Sequence, residues 1–246
     1  DPTYLRYFYA SKLNGKVDDL DLNIEEFVAK VNSDLVGKVV NLASRTAKFV
    51  QEIGLATEYP EDGGLFIQAA EAGDAIAEAY ESCNYSLAMR LIMELADRAN
   101  PFVETHEPWK LRKDPARQDE LQNICTIAIN LFRQIIIYLS PVLPELVEKT
   151  ESLLGEQLNR WEQTKTPLTG SPVAKFEHML KRLEEKDLQT MIDETREEND
   201  AQATDAAEPV ANPPAESTEE QQTLPETDAA ADHPYSDSDQ PLKDEP

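Results

Sequence analysis

Two short clusters in this chain carry side chains suited to chemistry as well as to packing. The first is Lys38-Val39-Val40-Asn41-Leu42-Ala43-Ser44-Arg45, with Lys48 close behind. Asn41 and Arg45 stand four residues apart, so on a helix they share a face. An amide beside a guanidinium can read the hydrogen-bonding edges of a base. On residues alone, the same run also reads as the solvated flank of a helix whose buried stripe includes Leu42. The second cluster is Pro108-Trp109-Lys110-Leu111-Arg112-Lys113, continuing to Arg117. Trp109 falls in a polar, proline-bounded stretch outside any helical stripe. An indole there can stack on an unpaired base or close off the end of a core. Lys38, Lys48, Lys110, Arg112 and Lys113 are the candidate phosphate contacts around these two clusters.

Catalytic signatures are missing from the chain. It has no Gly-x-Gly-x-x-Gly, no P-loop, no nucleophile elbow and no His-Glu-x-x-His. His106, His178 and His233 lie far apart, so no metal site is expected. Cys83 and Cys125 both fall within apolar helical patterns and read as small core residues. They form no Cys-x-x-Cys pair, so neither a disulfide scaffold nor a cysteine zinc site is expected. Asn84-Tyr85-Ser86 matches a glycosylation sequon by chance. No apolar run reaches the ~18 residues of a membrane span, the richest being interrupted by Asn130, Arg133 and Gln134. With no secretory signal visible, the expected compartment is the cytoplasm.

The elements that must position the two clusters read as helices throughout. Tyr4, Leu5, Phe8, Tyr9 and Leu13 form a first stripe behind Asp1-Pro2. Asn23, followed three residues later by Glu26, resembles a capping box and opens a long amphipathic run to Ile53, with a kink expected near Asn32-Ser33. Tyr59 to Gly64 is a turn. Helical spacing resumes over Leu65 to Tyr80 and again over Leu87 to Val103, where Pro101 marks a kink or the last turns. After the polar break from His106 to Arg117, the stretch from Leu121 to Leu139 is apolar on most faces and is expected to be the central, most buried helix. Pro144 starts another through Leu154, residues 167–172 are loop, and a last helix is expected from Val173 to about Ile192. Trp161 is assigned to packing.

Charge divides the chain. Its 246 residues carry a formal net charge of −25, and from Glu197 onward there are 15 acids, one base (Lys243) and seven prolines. So much like charge with so few apolar groups cannot offset the entropy of ordering. The sequence therefore predicts an all-α helix bundle over residues 1–195 and a disordered acidic tail or linker over 196–246.

These residues also carry a family resemblance. Asp18-Asp19-Leu20-Asp21-Leu22-Asn23, Glu25-Glu26-Phe27, Asn32-Ser33-Asp34-Leu35 and the Lys38 to Arg45 run resemble the anticodon-binding domain of bacterial methionyl-tRNA synthetase. The likeness continues through Ala96-Asp97-Arg98-Ala99-Asn100, Pro108-Trp109, Asn130-Leu131-Phe132, Tyr138-Leu139-Ser140-Pro141-Val142-Leu143-Pro144 and the region from Pro167 to about Ile192. It implies an α-helix bundle that receives the anticodon loop of tRNA(Met), with Asn41, Arg45, Pro108 and Trp109 as the main contacts. It implies further partners: the catalytic domain of the same polypeptide, and a second subunit held through a domain beyond the tail.

The family's His-x-Gly-His and Lys-Met-Ser-Lys-Ser signatures and its zinc-bearing insertion are absent. The resemblance therefore places ATP, zinc and the chemistry in a part of the polypeptide before Asp1. Two other functions compete with it: a non-catalytic helical protein-protein adaptor with an acidic tether, and a stand-alone enzyme, which the missing nucleotide-binding motifs disfavour.

Overall fold

The computed structural model describes residues 2–17, 19–186 and 188–189. The chain divides into two units, Asp1–Asn199 and Asp200–Pro246. The second unit lies outside the described residues, as does the expected tail. Among the described residues there is no strand. The main α-helices among the described residues are, in order, α1 (Pro2–Ala10), α2 (Ile24–Val31), α3 (Asn41–Val50), α4 (Leu65–Glu81), α5 (Tyr85–His106), α6 (Pro108–Leu111), α7 (Gln118–Leu139) and α8 (Pro144–Leu154). Short 3-10 turns occur at Pro115–Arg117 and Trp161–Lys165.

Helix α7 is the axis of the bundle, packed by α3, α4, α5 and α8. Every residue from Ile124 to Leu139 is buried, including the three that interrupt its apolar run. Those three are anchors. Asn130 bonds both the N–H (2.6 Å) and the carbonyl (2.9 Å) of Leu168. Gln134 Nε2 donates to the carbonyls of Phe66 and Thr164. Arg133 grips Glu156 and two loop carbonyls. Buried polar side chains are tolerable only when bonded in this way, and here the bonds tie the loop after α8 onto the core.

Asn23 caps α2 by accepting from the Glu26 N–H at 2.9 Å. The kink expected near Asn32-Ser33 is a nine-residue π-helical segment, Asn32–Val40, between α2 and α3. Gly37 suits it, because a Cβ there would lie 3.0 Å from the Asn32 carbonyl oxygen. Helix α5 continues to His106 with Pro101 inside its last turns, and it is capped by Asn84, whose Oδ1 accepts from the Leu87 N–H. Cys125 is buried, and burial pushes its thiol up to about 12. Cys83 corrects the sequence reading: it is exposed, in the turn between α4 and α5, with φ 56. Trp161 packs against Tyr138 and Tyr80.

The final helix expected from Val173 is also corrected. Residues 173–184 are an irregular strap; residues 185–186 and 188–189 are helical, as expected, while residue 187 and the expected residues beyond 189 lie outside the described ones. The spacing of Phe176, Met179, Leu180 and Leu183 resembles a helical stripe, yet the strap's backbone is bonded from the side. Leu153 accepts from the Ala174 N–H and Lys149 Nζ donates to the Met179 carbonyl. The Tyr4 hydroxyl meets both the N–H and the carbonyl of Lys181, each at 3.0 Å. Asn32 does the same for Leu183, at 2.8 and 2.9 Å. With these groups already satisfied laterally, the backbone needs no i→i−4 bonds to be buried.

Candidate nucleic-acid interface

The two sequence clusters meet. Arg45 on α3 lays its guanidinium over the indole of Trp109 on α6, with Cζ 4.3 Å from the ring centroid. Trp109 is not in a loop, as its flanking residues suggest, but in the single turn Pro108–Leu111. Glu107 takes a left-handed conformation (φ 44) that ends α5, and Pro108, with its φ already fixed, opens α6 at once. Pro108 and Leu111 point into the core and are buried, which leaves Trp109 half-exposed against Arg45.

Alongside α3, the second half of α5 supplies a ladder that sequence reasoning did not pair with it. Lys38 bonds Asp97, Asn41 bonds Asn100 and Arg45 bonds Glu104, with partners 59 residues apart at every rung. A constant offset means the two helices run side by side in the same sense, each rung one turn further on. Lys38 Nζ stands 2.8 Å from Asp97 and 3.8 Å from the buried Asp34, which also accepts from the Tyr7 hydroxyl at 2.6 Å. Burial, with the Asp34 charge and hydrogen bond added to it, pushes that hydroxyl far above the usual phenol range. Asn100 donates to the Lys38 carbonyl and accepts 3.3 Å from Asn41 Nδ2. Asn41 Oδ1 has no protein donor among the described residues.

The remaining basic residues divide into two sets. Lys110 is paired with Glu107 at 2.7 Å. Lys48, Arg112 and Lys113 are exposed. Lys48 Nζ and Arg112 Cζ lie over the ring of Phe49, 5.0 and 5.7 Å from its centroid. Phe49 falls within the long amphipathic run and is partly buried against the core. Its position one turn after Arg45 was the available signal that it belongs beside the cluster as well.

An amide oxygen with no protein donor, a guanidinium with donors to spare and a half-exposed indole form a surface suited to a base splayed out of a loop. No group of three metal-binding side chains occurs among the described residues. No described helix is long and apolar enough to cross a membrane.

Comparison with known proteins finds sequence relatives and a similar fold. A family model described as tRNA synthetases class I (M) matches residues 1–47. Over all 246 residues the chain is 56% identical to the methionine-tRNA ligase of Rhodopirellula baltica, of which it spans 33%. Over 207 residues it is 56% identical to methionine-tRNA ligase 1 of Sorangium cellulosum, spanning 30% of that protein. Its homologues are thus methionine-tRNA ligases, and the chain covers about a third of their length. The fold resembles that of the free-state methionyl-tRNA synthetase of Mycobacterium tuberculosis, with a TM-score of 0.65 at 22% identity over 74% of this chain and 39% of that one.

Proposed function

We propose that this chain recognises the anticodon loop of tRNA(Met) as one portion of a methionine-tRNA ligase. The observation that carries the proposal is the Arg45–Trp109 stack at 4.3 Å, which joins two clusters 64 residues apart in sequence. Unpaired bases of the loop stack on Trp109, Arg45 and Asn41 bond their edges, and Pro108 fixes where the indole stands. The flanking cations attract the phosphates despite the acidity of the chain as a whole. The proposal assigns ATP and zinc, which the family resemblance implies for a complete ligase, no residues in this chain.

The second partner in this proposal is the rest of the polypeptide. The large apolar side chains left exposed among the described residues are Leu5, Leu13, Val17, Leu22 and Ile67. The first four lie in the stretch that the synthetase family model matches, where a further domain would cover them.

Fluorescence titration of the chain with tRNA(Met) tests the anticodon assignment. Trp109→Ala is expected to weaken binding roughly 5- to 150-fold, the equivalent of the ~1–3 kcal/mol of a base stack. Equal affinity for both proteins, with the variant folded, overturns it.

A further inference from the structure

Arg45 and Trp109 are half of a reciprocal arrangement. Phe49 stands one turn beyond Arg45, and Arg112 stands one turn beyond Trp109. Arg112 approaches the ring of Phe49 as Arg45 approaches the ring of Trp109. Each of the two segments thus lends the other a guanidinium and takes one onto its own aromatic ring. The second half differs in two ways. It carries an additional cation, Lys48, over the same ring, and it has no acid. Lys38, Arg45 and Lys110 are all tied to carboxylates. No carboxylate stands within 4.0 Å of Lys48, Arg112 or Lys113 among the described residues.

We infer that Phe49 holds Lys48 and Arg112 as a clamp for an RNA phosphodiester, next to the base stacked on Trp109. The inference rests on the anticodon reading above and divides its five candidate phosphate contacts into two kinds. A cation already bonded to a carboxylate must exchange one anion for another, so it contributes little net attraction. A cation without such a partner contributes a full unit of charge and releases counterions from the RNA. The guanidinium also presents a fork that matches two phosphate oxygens. Long basic side chains in solvent lose rotamer freedom when they bind. The Phe49 ring is itself packed against the core, so it limits that loss by fixing both cations before the RNA arrives. Phe49 is therefore a positioning residue that touches no phosphate itself.

The salt dependence of binding separates the roles. The 246-residue chain is titrated with the anticodon stem-loop RNA of tRNA(Met) at a series of salt concentrations, and the logarithm of affinity is plotted against that of salt. Lys48→Ala and Arg112→Ala are each expected to reduce the slope by about 0.7–0.9. Lys110→Ala, at a neutralised cation, is expected to change it by less than half of that. Phe49→Leu removes no charge, yet the clamp requires it to lower both slope and affinity, and Phe49→Tyr restores them. Trp109→Ala should weaken binding at every salt concentration while leaving the slope unchanged. Slopes unaffected by Lys48→Ala and Arg112→Ala overturn the clamp. A normal slope in folded Phe49→Leu, or a reduced slope in Phe49→Tyr, overturns the positioning role. If Trp109→Ala is silent while the two cation variants still lower the slope, the clamp stands and the base-stacking reading fails.

Discussion

Arg133 and Arg45 are each bonded to a glutamate at about the same distance, 2.6 and 2.7 Å, and the two regions around them do opposite work. Arg133 sits in the middle of α7 with its side chain 3% exposed. Its Nε and Nη2 take both oxygens of Glu156, and its Nη1 reaches the carbonyls of Gln163 and Thr166. Arg45 is 27% exposed; it meets one oxygen of Glu104 and lies on an indole. A guanidinium has five N–H donors. Where they are used up inside the protein, the residue is part of the scaffold. Where most are left unbonded by the protein beside an aromatic plane, the residue is available to a ligand.

The largest expected effect comes from breaking the saturated region. Arg133→Met leaves the carbonyls of Gln163 and Thr166 without the donor they share, and Glu156 with only the Gln163 amide. Arg133 is buried but Glu156 is a quarter exposed, so the loss is that of unsatisfied buried acceptors and not of a fully buried pair. That is about 1–3 kcal/mol, which for a domain of this size is a fall in Tm of roughly 2–12 °C. Calorimetry measures it, and a loss below about 1 kcal/mol would show that Arg133 is no more structural than a surface arginine. The pair also predicts an acid dependence. Burial pushes the Glu156 carboxyl up, but the hydrogen bond and charge of Arg133, aided by Gln163 and Arg160, outweigh it and hold the group below the usual carboxylate range. A depressed folded-state value stabilises the protein above the unfolded value of about 4.3 and loses that contribution as pH falls through the lower folded value. The Tm advantage of the natural chain over Glu156→Gln should therefore shrink below about pH 4.

The same two regions show how far the sequence could be read. The helix bundle was legible because the apolar spacing of α2, α3, α4, α5 and α7 admits no other periodicity. Asn41, Arg45 and Trp109 were legible as residue types out of place in plain packing. Their meeting was not, because nothing local encodes the 59-residue offset that sets α3 beside α5, or the turn at Glu107 that swings Trp109 onto Arg45. Arg133, Asn130 and Gln134 appear in sequence only as interruptions of an apolar run, since their partners lie far along the chain, on the loop after α8 and, for Gln134, also at Phe66 on α4. The strap at residues 173–184 was misread for a related reason. Its side chains have helical spacing, but its backbone is bonded by Tyr4, Asn32 and Lys149, which come from distant parts of the chain. Cys83 was misplaced because one left-handed residue ends the pattern in which it stood.

A conservative exchange sharpens the contrast between the two arginines. Lysine keeps the charge and loses the planar fork and the stacking face. Arg45→Lys is expected to lower affinity for tRNA(Met) about tenfold, a base contact being worth ~1–3 kcal/mol, while Tm shifts by no more than about 2 °C. Arg133→Lys should do the reverse, lowering Tm without altering the affinity of the folded protein. Titration and calorimetry on both variants decide it. If both lose chiefly stability, the open face around Arg45 is scaffold too, and the division between the regions fails.

Glu104→Gln probes the smallest difference, the single carboxylate that Arg45 does carry. Glu104 is two-thirds exposed, and an exposed ion pair contributes only about 0.2–1 kcal/mol. Removing its charge should leave Tm almost unchanged. A phosphate or a base edge approaching Arg45 competes with that carboxylate, and glutamine can still accept a hydrogen bond while repelling nothing. Affinity for tRNA(Met) should therefore rise, by less than tenfold, and most visibly at low salt, where the repulsion is least screened. A fall in affinity would mean that Glu104 aims the guanidinium for the RNA. Arg45 would then depend on its partner much as Arg133 does, and the number of free donors would no longer separate a recognising arginine from a structural one.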